Sequence, residues 1–171
     1  MKIFKHYLAL FVFFLTMVSC AQTSKPITHD PVVAKQGNTY YLFCTGPGIT
    51  SFTSKELKTW TKADPVFEEQ PVWAKEVAPG FNGHIWAPDI TLHNGTYYLY
   101  YSISAFGKNT SAIGLVTNKT LNPKDDDYKW EDQGVVIQSV PYRDMWNAID
   151  PNLIFDENGT PWMSFGSFWS G

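Results

Sequence analysis

The chain has 171 residues, a formal net charge of −3 and a pI near 5.7, so it carries no basic footprint for nucleic acid. Aromatic residues make up 16% of it, including 7 Trp and 9 Tyr, and glycine and proline fall between short apolar runs rather than inside a helical period. The pattern predicts an all-β chain with many turns, and the surplus of flat aromatic faces makes sugar rings the first ligand class to consider.

Residues 1–20 read as a lipoprotein-type signal peptide. Lys2 and Lys5 give a positive start, Tyr7 to Met17 is almost wholly apolar, and Ser19-Cys20 closes the segment. The apolar run is shorter than the roughly 20 residues that a membrane-spanning helix needs. The ending resembles a bacterial lipoprotein signal, in which Cys20 becomes the lipidated first residue; this implies export to the cell envelope and a lipid anchor in the membrane. Met17 stands where leucine is usual, which leaves ordinary secretory cleavage nearby as the alternative. Lipidation of Cys20 leaves Cys44 as a lone thiol, expected to be buried in its strand, with no disulfide framework. Residues 21–28 are polar enough for a tether.

From residue 29 onward the chain reads as comparable units. The first runs from His29-Asp30-Pro31 through Tyr40 to Phe43 and Ile49 to Thr53, and closes with Ser54 to Trp60. Residues 67–83 form a long insertion, and such loops on repeat proteins tend to lie on the working face. The second unit offers Ile90 to Leu92, Tyr97 to Ser102, Ala112 to Thr117 and a fourth stretch near Trp130 to Val136. Asp125-Asp126-Asp127 lacks the glycine and distal glutamate of a calcium loop and reads as a solvated turn. The third unit starts at Asn147-Ala148-Ile149-Asp150-Pro151-Asn152 and continues through Trp162 to Phe165. Four strands per unit make the blade of a β-propeller.

Asp30, Asp89 and Asp150, each beside a proline, recur at a period of about sixty residues. One Asp-Pro pair alone is better explained as a turn cap. Three in register predict carboxylates gathered near a propeller axis, where like charges perturb one another's proton affinity. Propellers close with roughly 4 to 8 blades, and this sequence supplies about two and a half, so it reads as the N-terminal part of a longer protein.

Five ordered motifs carry a family resemblance: His29-Asp30-Pro31, His84-Ile85-Trp86-Ala87-Pro88-Asp89-Ile90, Ser102-Ile103-Ser104-Ala105-Phe106-Gly107, Asn147-Ala148-Ile149-Asp150-Pro151-Asn152 and Gly166-Ser167-Phe168-Trp169-Ser170-Gly171. Together they resemble glycoside hydrolase family 43, closest to its endo-1,5-α-L-arabinanases, over residues 29–171. The resemblance implies a five-bladed β-propeller and inverting hydrolysis of arabinan in a groove across one face. It implies that Asp30 is the general base and that Asp150 tunes the acid's pKa and orients the sugar. Trp86 and Phe106 would stack on arabinose rings, and Asn147, Ile149 and Ser167 would line the central subsite. The family's general acid is a glutamate that matches no residue of this chain; Glu157 sits in the turn Asp156-Glu157-Asn158-Gly159. No metal site is read from these residues, although several family members carry calcium at the propeller axis. His29 and His84 are expected to orient neighbours through hydrogen bonds, and His93 to be a surface turn residue. Three further readings compete: an exo-acting α-L-arabinofuranosidase or β-xylosidase of the same family, a non-catalytic glycan-binding lipoprotein, and a purely structural propeller.

Overall fold

A computed structural model of the chain describes residues 22–23 and 25–168, so the signal segment and Cys20 lie outside the described residues. The first sheet contains β1 (Gln22–Thr23), β2 (Val32–Gln36), β3 (Thr39–Cys44), β5 (Thr50–Ser54) and β6 (Trp60–Ala63), in the order β1-β6-β5-β3-β2 with every pair antiparallel. The intervening β4 (Gly46–Pro47) leaves this sheet and pairs with the next one. The second sheet follows a short helix, α1 (Ala74–Val77), and comprises β7 (His84–His93), β8 (Thr96–Ser104), β9 (Ser111–Asn118) and β10 (Glu131–Gln138). Beyond β11 (Trp146–Asn147), a third unit begins with the hairpin of β12 (Asn152–Phe155) and β13 (Pro161–Ser164), and β14 (Ser167–Phe168) returns to pair with β11.

Local chemistry sets these elements. Asn94 and Gly95, at φ 49° and 73°, make the two-residue turn between β7 and β8, and an Asn-Gly pair is the one that tolerates two left-handed residues there. The stretch Ser54 to Trp60, expected to be the fourth strand of its unit, is instead the turn before β6. Ser54 Oγ accepts the N–H groups of Glu56 (3.3 Å) and Leu57 (2.9 Å), and Glu56 Oε1 accepts that of Thr59 (3.0 Å). Short polar side chains that bond their own backbone compete with the ladder, so the strand starts only at Trp60.

The blades stack face to face. Tyr41 and Phe43 of the first meet Leu99, Tyr101, Ile103 and Val116 of the second in one apolar cluster, most of it without solvent contact. Burying each such side chain stabilises the fold by about 1.5–3 kcal/mol. Cys44 is a buried thiol whose Sγ lies 3.6 Å from the Thr50 carbonyl, and burial raises its pKa.

The insertion is less of a surface loop than its length and prolines predict. Ala74, Ala78 and Phe81 are buried, and Trp73 stacks on Tyr101 at 6.1 Å between centroids. Asp132 takes three donors, the Tyr101 hydroxyl (2.8 Å), Trp73 Nε1 (3.0 Å) and the Gly134 amide (3.1 Å), and so staples the insertion to the second blade. Burial first, then the bond to Asp132, holds the Tyr101 hydroxyl far above its ordinary pKa. Asp125 accepts bonds from Thr120 Oγ1 and Asn122 Nδ2, both 2.6 Å, and thus organises the turn that contains the acidic run.

Polar contacts lock the seams. Gln36 on β2 donates to Thr120 Oγ1 (2.9 Å) across the first seam. At the second, Asp89 on β7 accepts the Leu153 amide (2.8 Å) and the Asn152 side chain (3.4 Å), and His93 stacks on Phe155 at 4.5 Å.

Candidate active site

Three residues that each precede a proline hold left-handed backbone: Asp30 at φ 49°, Ala87 at 39° and Asp150 at 54°. Positive φ is uncommon outside glycine and marks backbone held in place by its surroundings. These three occupy one register position in successive blades. Asp89, grouped by sequence with Asp30 and Asp150, therefore stands two residues out of register, and its carboxylate is used in the seam between the second and third blades. Alanine fills the corresponding position of the second blade.

Asp30 is fixed by two donors that reach the same oxygen. His29 Nδ1 lies 2.6 Å from Oδ2, and the Thr45 hydroxyl donates to Oδ2 over 2.7 Å. Thr45 follows β3, and its Oγ1 accepts the Ala87 amide at 2.8 Å. The His29 contact agrees with the orienting role expected of it, whereas His84 lies exposed at the start of β7.

Asp150 hangs from the second blade by its amide, which donates to Ser102 Oγ at 3.1 Å. Desolvation of its carboxyl, then the charge of Asp30, pushes its pKa up, and His29 opposes that shift. The two carboxylates thus share one electrostatic environment despite 120 residues of separation, from position 30 to position 150. Like charges brought together in this way raise one another's proton affinity.

Trp86 lies half-buried on β7, opposite Ser102 on β8, beside the hydroxyl that holds Asp150. Phe106 follows β8 and is 93% exposed, a large apolar face turned to water. Asn147 is buried: its Oδ1 accepts from Ser111 Oγ (3.3 Å) and its Nδ2 donates to Ser167 Oγ (3.4 Å). Ile149 sits between them and Asp150, with its carbonyl accepting the Gly166 amide at 2.8 Å. The loop that delivers Trp146 and Asn147 is pinned by Asp144, which caps the Val140 amide (2.7 Å) and pairs with Arg143. The bond from Arg143 is the main reason that the Asp144 carboxyl lies below its usual range.

Glycosyl hydrolases family 43 matches residues 23–171. The chain belongs to this family. It is 57% identical over 167 residues to the extracellular exo-α-(1→5)-L-arabinofuranosidase ArbA of Cellvibrio japonicus, covering 97% of this chain and 48% of that protein. It is 41% identical over 152 residues to extracellular endo-α-(1→5)-L-arabinanase 1 of Bacillus subtilis, covering 86% and 46%. Among solved structures, the Cellvibrio cellulosa α-L-arabinanase complexed with arabinohexaose superimposes with a TM-score of 0.82 at 61% identity, over 83% of this chain and 45% of that one. The chain spans about half the length of the curated relatives it matches. The fold of this family 43 chain is that of a five-bladed β-propeller, and its described residues form two five-stranded sheets, the blades of the first two units, and the first hairpin of a third.

Sequence reasoning missed four hydroxyls that hold these segments: Thr45 and Ser102 beside Asp30 and Asp150, and Ser111 and Ser139 beside Asn147 and Ala148. Ser139 Oγ accepts the Ala148 amide at 2.7 Å and bonds Ser111 Oγ at 3.1 Å. A signal for two of them exists. Aligning Tyr40-Tyr41-Leu42-Phe43-Cys44-Thr45 with Tyr97-Tyr98-Leu99-Tyr100-Tyr101-Ser102 puts Thr45 and Ser102 at the same position of the repeat.

Proposed function

We propose that the full-length protein carrying these residues is an inverting arabinan endo-1,5-α-L-arabinosidase. The observation that carries this reading is that Asp30 and Asp150 hold one register position of their blades, each in left-handed backbone before a proline, with the charge of Asp30 adding to the desolvation that raises the Asp150 pKa. An inverting glycosidase needs a base that activates water on one side of the sugar and an acid on the other, about 6.5–9.5 Å apart. Asp30, anchored through Oδ2 by His29 and Thr45, is the base. Asp150 orients the sugar and, as a nearby negative charge, raises the pKa of the acid. That acid is a glutamate outside these 171 residues. Trp86 and Phe106 stack on arabinose rings, with Asn147, Ile149 and Ser167 shaping the central subsite.

Asp30→Asn keeps the shape of the side chain but cannot accept the proton of water. In the full-length protein it is expected to lower kcat on linear 1,5-arabinan by roughly 10² to 10⁴, with binding of arabino-oligosaccharides retained. An Asp30→Asn enzyme with undiminished kcat would refute the assignment.

Release from the chain end is the second reading, supported by the 57% identity to a protein whose name specifies exo action. The product pattern separates the two: a ladder of oligosaccharides at early times signifies endo attack, and a single short product signifies exo attack. No group of three or more His, Cys, Asp or Glu side chains gathers among the described residues. No step is assigned to a metal.

The leader supports a proposal of its own, that Cys20 becomes the acylated N-terminus and anchors the enzyme in the cell envelope, facing its polysaccharide. Mass spectrometry of the mature protein tests it: an unmodified N-terminus beyond residue 20 would reject the anchor.

A further inference from the structure

We infer that Thr45 is a positioning residue that ties Asp30 to the seam between the first two blades and fixes the orientation in which its carboxylate meets the water. The inference rests on the reading of Asp30 as general base. The Ala87 amide can only donate, so it occupies a lone pair of Thr45 Oγ1, 2.8 Å away. The single hydroxyl proton is then committed to Asp30 Oδ2 at 2.7 Å. The clip is tied back to its own blade by the Thr45 amide, which donates to the His29 carbonyl at 3.0 Å.

His29 Nδ1 approaches the same oxygen at 2.6 Å, and no described residue hydrogen-bonds Oδ1. Tilting the carboxylate out of this orientation breaks both bonds, and only a half-turn, which exchanges two equivalent oxygens, restores them. The oxygen that Thr45 and His29 do not hold therefore keeps its lone pairs free in one fixed orientation, the condition for taking a proton from a positioned water.

The clip repeats from blade to blade. Ser102, at the position of the repeat that matches Thr45, accepts the Asp150 amide at 3.1 Å. In each case a hydroxyl at the end of a blade's second strand holds the left-handed residue of the next blade. At the first seam the held residue is Ala87, and the hydroxyl proton turns back to the carboxylate of its own blade. The spacing of the first two blades is thereby coupled to the orientation of the base.

The test uses the full-length protein with linear 1,5-arabinan and compares Thr45→Val with Thr45→Ser. Thr45→Val removes the acceptor and the donor, and is expected to lower kcat roughly 10- to 100-fold with KM within about twofold. Thr45→Ser restores the hydroxyl and with it most of the turnover. In the Asp30→Asn background, Thr45→Val is expected to cost less than about twofold, because a residue acting through Asp30 has nothing left to position. Equal losses in both backgrounds, or no loss of kcat in Thr45→Val, would overturn the inference. Normal turnover in Asp30→Asn alone would instead overturn the base assignment, so the two failures are distinguishable. Should Thr45→Val fail to fold, Thr45→Ala against Thr45→Ser provides the same comparison with no added bulk.

Discussion

Asp150 carries opposing demands in one side chain. Its pKa is raised in the folded chain by desolvation and by Asp30, whereas in the unfolded chain both influences vanish. Below the ordinary carboxylate range both states hold the proton and Asp150 contributes nothing to the pH dependence. As pH climbs from that range through the raised value, unfolding releases a proton and is favoured, so stability falls and then levels off. Asp150→Asn removes the charge while leaving the backbone amide to Ser102 intact. The variant is expected to melt at a higher temperature than the parent at pH 7 and to lose that advantage at pH 3, as measured by circular dichroism in parallel scans. A lower midpoint at pH 7 would contradict the electrostatic account. Asp30 and Asp150 were legible because Asp-Pro is a conspicuous pair that recurs. Thr45 was not, because a hydroxyl at a strand end gains its meaning only from an amide 42 positions further along the chain.

At the scale of elements, hairpins were the easiest to read. Asn94-Gly95 and Gly159 mark turns by conformational necessity, and the aromatic runs after them alternate as strands do. The strand pairs β4 with β7 and β11 with β14 were hidden, since each is two residues long and its partner is far away in sequence. The insertion was misjudged for a related reason: its few apolar residues are spaced irregularly, and only the face of the second blade shows what they pack on. Gly114 on β9 belongs to that packing. A Cβ there would lie 2.5 Å from Tyr101 Cζ and 2.7 Å from Trp73 Cζ2, so the two rings occupy the space of the missing side chain. Gly114→Ala is expected to destabilise the protein by about 1–3 kcal/mol through overpacking, visible as a lower melting midpoint and faster proteolysis within residues 64–83. An unchanged midpoint would mean that the insertion yields freely.

Across the whole molecule, the blades are joined by a few polar contacts laid over an apolar stack. The all-β blade architecture could be read from the period of the repeat, but the seams could not, because periodicity says nothing about which side chain crosses to the next unit. Asp89 shows the difference. Its sequence neighbourhood imitates that of the other two aspartates, yet the register of the prolines puts Ala87 at their position and sends Asp89 across the seam to Leu153. Asp89→Ala leaves that partly buried amide unsatisfied and is expected to cost about 1–3 kcal/mol. Hydrogen exchange should then show faster opening of the β12–β13 hairpin, with β2–β3 unaffected. Equal acceleration in both hairpins would mean that the loss is global rather than confined to the seam.

The left-handed residues before the prolines also bear on how such a protein evolves. Asparagine and glycine adopt that backbone more readily than most residues, and asparagine at position 150 would remove a desolvated, repelled charge at the same time. Selection for stability alone therefore pulls position 150 away from aspartate, and on the proposed role of this carboxylate only the demand for turnover holds it there. On that role, a lineage released from the demand should lose the carboxylate at position 150 early while its propeller survives. The second blade, with Ala87 at the same place in the repeat, already carries this backbone without the acid.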